Sequence, residues 1–99
     1  MRLTTKQSDI IRIEATQLFG EDAVVLLFGS RTDDTRKGGD IDLYIETCLA
    51  PAQAQLVASR LYARLQRLLG EQRIDIVTHS PGQPQRPIDR AAQLGGIRL

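Results

Sequence analysis

FGSRTDDTRKGGDIDLYI, residues Phe28–Ile45, decides how the chain is built. An apolar run, Ala23–Phe28 (AVVLLF), feeds into Gly29-Ser30, and nine residues further on Asp40 and Asp42 alternate with Ile41, Leu43 and Ile45. Alternation of this kind predicts a strand, because successive side chains point to opposite faces of a sheet. Ile41, Leu43 and Ile45 are then assigned to a core, and Asp40, Asp42 and Tyr44 to the other face. The short, β-branched run before Gly29 predicts a strand buried on both faces, and such strands occur where helices cover the sheet. Between the two, Arg31–Gly39 is polar and ends in glycine, the pattern of a loop or of a short helix followed by a loop.

Working outward, Thr4–Phe19 has helical periodicity. Thr4 and Gln7 stand at capping-box spacing, Gly20 is placed to stop the helix, and Ile11, Ala15 and Leu18 form a stripe that Ile10 and Phe19 widen. Pro51 opens a second helix running to Leu69, with Gly70 as its stop. Its expected buried stripe is Ala54, Val57, Ala58, Leu61, Leu65 and Leu68. Arg60, Arg64 and Arg67 lie along another face, as a solvated basic stripe or, alternatively, a docking surface for an acidic partner or nucleic acid. Gln72–Thr78 predicts a third strand, with Ile74 and Ile76 facing one way and Asp75 and Val77 the other. Ser80–Pro87 is a proline-rich connection, Pro87–Leu94 a short helix ended by Gly95-Gly96, and Ile97–Leu99 has room for a short edge strand. The order is α-β-β-α-β-α, which predicts an α/β (α+β) fold: one domain, residues 1–99, with a small mixed sheet flanked by helices.

Composition narrows the function classes. The chain has 99 residues, 25% of them charged, and a net charge of +1, which gives no basis for non-specific binding to nucleic acid or membrane. Cys48 is the one cysteine, so an internal disulfide and a cysteine-based zinc site are excluded, and a reducing compartment is expected. It is expected to be a half-buried small residue at a strand end. No apolar run approaches the roughly 20 residues needed to span a bilayer. The start of the chain also lacks the apolar region of a signal peptide, so a cytoplasmic location is expected.

The candidate chemistry is concentrated in three aspartates and one turn. If the second and third strands pair side by side, Asp40, Asp42 and Asp75 converge on one sheet face. Unpaired carboxylates that close raise one another's pKa values, and a divalent cation relieves the repulsion. Oxygen-only ligands suit Mg²⁺, which is typically held by one or two carboxylates together with substrate phosphates. Gly29 lets backbone approach a phosphate, Ser30 offers a hydroxyl, and Arg31 offers charge-assisted hydrogen bonds. Asp40 and Asp42 would hold two metals while Asp75 orients or deprotonates an attacking hydroxyl. Arg36 and Lys37, in the loop beside this turn, are expected to be solvated.

Other motifs fail. There is no Lys-Ser or Lys-Thr pair after a second glycine, as a P-loop requires. A calcium loop starting at Asp33 would put Lys37 and Tyr44 at its fifth and twelfth positions, where oxygen ligands are needed. His79 has no His, Cys or Glu companion at ligand spacing and is expected to lie on the surface.

The arrangement of Gly29-Ser30, then Asp40-Ile41-Asp42, then a later strand aspartate, Asp75, resembles the minimal nucleotidyltransferase (MNT) family of the DNA polymerase β-like superfamily. The resemblance covers nearly the whole chain and is specific for the superfamily, but it does not fix the acceptor. It implies that Gly29 and Ser30 contact nucleotide phosphates and that Asp40, Asp42 and Asp75 form the metal-binding carboxylate set. It further implies transfer of AMP from ATP to a hydroxyl with release of pyrophosphate. Minimal proteins of this kind are similar to the antitoxin half of type VII-like MNT–HEPN toxin–antitoxin pairs in prokaryotes. There the partner is a HEPN-domain RNase toxin, silenced by AMP transfer to a tyrosine. Larger relatives carry an additional acceptor-binding domain, and none is expected here. The alternative is a non-catalytic, nucleotide-binding antitoxin or regulatory subunit that neutralises its partner by covering it.

Overall fold

Thr4 caps helix α1 (Thr5–Phe19) as its spacing predicts. Its Oγ1 accepts the Gln7 N–H at 3.1 Å, while Gln7 Oε1 accepts the Thr4 N–H at 3.0 Å. Two donors that the first turn would leave orphaned are thereby satisfied. The computed structural model describes residues 3–29 and 40–99. After α1 come β1 (Val24–Phe28), β2 (Ile41–Glu46), α2 (Pro51–Leu69), β3 (Ile74–His79), α3 (Pro87–Gly95) and β4 (Ile97–Arg98). Pro51 occupies the first turn of α2, where its missing N–H is not needed.

The four strands form one mixed sheet in the order β3-β2-β1-β4. β1 runs antiparallel to β2 and β4, and β2 runs parallel to β3. A parallel pair requires a long crossover, and α2 supplies it. The core lies between one face of this sheet and the first two helices. Val25, Leu27, Ile41, Leu43, Ile45 and Ile74 meet Ile11, Ala15 and Phe19 of α1 and Ala54, Val57, Ala58, Leu61 and Leu65 of α2. Each large side chain fully buried there contributes about 1.5–3 kcal/mol.

The other face is only partly covered, which corrects the expectation for β1. Val25 and Leu27 are buried, but Val24, Leu26 and Phe28 are half-buried, so the strand is not enclosed on both sides. The cover on that face is α3, nine residues long, which packs on β1 and reaches Tyr44 through Gln93. Tyr44, which the alternation puts on the acid face, lies under that helix and is 1% exposed. Leu68 is a second correction, at 53% exposed. Beyond Leu61 and Leu65 the stripe continues by a step of four, so Leu69 packs on the core instead. Cys48 is exposed, because it follows β2 in a bend where Thr47 takes the buried position.

Candidate metal centre

Strand register creates the site. Phe28 stands opposite Asp42 across the antiparallel pair, and Asp42 stands beside Asp75 across the parallel one. Residues paired across neighbouring strands share a face, so Asp42 and Asp75 project together. Asp40 precedes the strand by one pleat and joins the same face. The backbone there is fixed by the Ile41 N–H, which donates to the Arg73 carbonyl at 3.0 Å. One carboxylate oxygen from each of Asp40, Asp42 and Asp75 lies within 4.8 Å of the others. Asp40 and Asp42 are half-buried and Asp75 is exposed, so the cluster has an inner wall and an open side.

The electrostatics are unfavourable without a cation. Burial, then the charges of Asp75 and Asp40, and finally a hydrogen bond shared with Asp75 push the Asp42 carboxyl up to about 6. At an effective dielectric of about 20, carboxylates roughly 5 Å apart repel by about 3 kcal/mol. A hard divalent ion removes that repulsion and suits an all-oxygen donor set. Asp40, Asp42 and Asp75 therefore fit a metal such as Mg²⁺.

Gly29 is tied to the same cluster by shape. Its φ is +78°, in the region that favours glycine, and a Cβ built on it would collide with Asp42 Oδ2. The backbone turn at the end of β1 thus lies directly against the inner carboxylate. Ser30 and Arg31, the other expected phosphate contacts, lie outside the described residues, as do the remaining residues to Gly39, Arg36 and Lys37 among them.

His79 departs from expectation. Its side chain is only 12% exposed, with Nδ1 3.1 Å from Glu46 Oε1 and Nε2 3.1 Å from the Gln83 carbonyl. Glu46 is 33 residues away in sequence, so no spacing rule for ligands could have found it. The basic stripe is not wholly solvated, since Arg64 pairs with Glu14 of α1 at 3.1 Å. Asp89 was also missed. It is fully buried, accepts the Arg86 backbone N–H at 2.8 Å, and pairs with the Arg86 guanidinium at 2.8 Å. Its signal was present in the sequence: an acid three residues after Arg86 at a proline-led helix start is capping-box spacing.

No helix among the described residues is long and apolar enough to cross a membrane. No protein-family model matches the chain, and no curated protein matches it.

Proposed function

We propose that this protein is a Mg²⁺-dependent nucleotidyltransferase that moves AMP from ATP to a hydroxyl group. The observation that carries the reading is the convergence of Asp40, Asp42 and Asp75 within 4.8 Å on an open sheet face, with Gly29 packed against Asp42. Asp40 and Asp42, on the inner side, are the metal-holding pair. When bound, Mg²⁺ would neutralise the phosphates and polarise the reacting phosphoryl group. Asp75, on the exposed side, faces an incoming acceptor and takes the proton from its hydroxyl. The acceptor oxygen bonds to the α-phosphorus, the bond between α-phosphorus and its bridging oxygen breaks, and pyrophosphate leaves. Gly29 keeps the chain beside Asp42 free of side-chain bulk, where phosphate oxygens must approach.

The acceptor in this proposal is a tyrosine of a HEPN-domain RNase toxin, and the protein is its antitoxin in the prokaryotic cytoplasm. This part rests on the resemblance carried by Gly29-Ser30, Asp40, Asp42 and Asp75. The test incubates the protein with a HEPN-domain partner, Mg²⁺ and ATP labelled at the α-phosphate, beside the Asp42→Ala variant. Label on the partner with the wild type and none with the variant is the expected result. Unlabelled partner, fully neutralised by Asp42→Ala as well, would replace the enzyme with a binding subunit.

A further inference from the structure

The far end of the same sheet face carries a second constellation, remote from the aspartates along β2. A cavity of about 200 Å³ is bounded there by Asp22, Glu46, Cys48, His79, Ser80 and Pro81. His79 is the one histidine in the chain, and it stands between two acceptors, the Glu46 carboxylate and the Gln83 carbonyl, each 3.1 Å from a ring nitrogen. Neither acceptor can donate, so only the doubly protonated ring satisfies both contacts. Gln83 closes the Ser80–Gln83 turn, its Oε1 accepting the Ser80 N–H at 2.8 Å. Ser80 and Pro81 of that turn form part of the cavity wall.

We propose that His79 is a pH-operated latch: as an imidazolium it pins the Ser80–Gln83 turn against the sheet, and as a neutral ring it lets that wall of the cavity go. The direction of release follows from the two partners. Glu46 is charged and retains the Nδ1 proton, so the proton is lost from Nε2. A lone pair then confronts the Gln83 oxygen, and the contact changes from attraction to repulsion. Glu46 itself is fixed from the other side, because its Oε2 accepts the Tyr44 hydroxyl at 2.6 Å, and Tyr44 in turn accepts Gln93 Nε2 at 3.1 Å. Helix α3 has its own anchor in the Arg86–Asp89 pair and in Arg86 Nη2, which donates to the Thr78 carbonyl at 2.6 Å. The turn, not α3, is therefore the part released.

The charges around the ring favour the pinned state. Burial opposes the imidazolium, but the Glu46 hydrogen bond and charge, the Gln83 carbonyl and the charge of Asp89 outweigh it and raise the His79 pKa. Arg86 offsets part of Asp89 by pairing with it. Asp22, from the turn before β1, and Cys48, from the bend after β2, complete the titratable groups of the cavity wall. A group whose folded pKa is raised contributes its full stabilisation below about 6.5 and loses it as pH rises through the folded value.

Long-range ¹⁵N spectra of the single imidazole test the latch, alongside amide exchange of Ser80 and Gln83, whose N–H groups are hydrogen-bonded within the turn. Both ring nitrogens are expected to be protonated at pH 6, with a midpoint above 6.5 that falls in Glu46→Gln. Between about 6.5 and that midpoint, protection of the turn should drop by up to about tenfold per pH unit beyond the intrinsic rate. A midpoint at or below that of a free histidine overturns the proposal. So does turn protection that ignores the ring's titration.

Discussion

Replacing Asp42 by Asn should make the metal-free protein more stable while destroying its affinity for divalent cations. In the fold Asp42 carries a carboxyl pushed from 3.8 to about 6 by burial and by Asp75 and Asp40. The native state therefore holds that proton more tightly than the unfolded chain. The stability contributed by Asp42 falls as pH rises from 3.8 toward about 6, and the penalty is complete above it. The full shift would correspond to about 3 kcal/mol, and solvent screening at a half-buried site reduces this to about 1–2 kcal/mol. Asparagine keeps the shape and removes the charge, so Asp42→Asn should raise Tm at pH 8 in EDTA by at least about 4 °C. The gain should shrink as pH falls and vanish below about 4. Adding Mg²⁺ should reverse the ranking, because a ligand at about 100 times its Kd adds about 2.7 kcal/mol to the wild type alone. A variant less stable than the wild type at pH 8 in EDTA would refute the idea that these carboxylates repel one another across a built site.

Five further substitutions separate the roles of individual residues. Gly29→Ala combines a positive φ with a collision against Asp42, and should cost about 2 kcal/mol or more and abolish metal binding. Gly20→Ala is its control: the φ there is +106° but a Cβ meets nothing within 4 Å, so urea unfolding should register strain of about 1 kcal/mol and intact metal affinity. Leu65→Ala should cost about 2–5 kcal/mol, against less than about 0.5 kcal/mol for Leu68→Ala, as read by chemical denaturation. Asp89→Ala leaves Arg86 without its buried partner and should cost about 2–3 kcal/mol, discounted because Arg86 is partly solvated. Amide exchange in α3 should locate that loss.

Much of this fold is legible because its boundaries are written in local chemistry. Thr4 with Gln7 starts α1, Gly20 ends it, Pro51 and Gly70 bound α2, and Gly96 ends α3. These devices act within a few residues, so the sequence displays them directly. The alternation around Asp40 and Asp42 likewise assigns both to one face. The meeting with Asp75 depends on the register of two strands joined by a 19-residue helix. Sequence patterning fixed which face Asp75 occupies, and the parallel pairing then set it beside Asp42.

What was not legible depends on contacts distant in sequence. Tyr44 is buried because α3 folds back over the sheet, and its own strand gives no sign of that. His79 meets Glu46 because the parallel register puts them side by side. Leu68 and Leu69 differ by one residue, standing three and four residues after Leu65, and helical periodicity allows either step. The collision between a side chain at Gly29 and Asp42 depends on the β1–β2 register in the same way.

Mn²⁺ titration followed by NMR tests the central claim most directly. Paramagnetic broadening falls off steeply with distance, so the first resonances lost report where the ion sits. The account predicts early, saturable loss of Asp40, Asp42, Asp75 and Gly29 signals in the wild type, tightened by ATP and absent in Asp42→Asn. Broadening centred instead on exposed Asp9 of α1, or unchanged in Asp42→Asn, would contradict it.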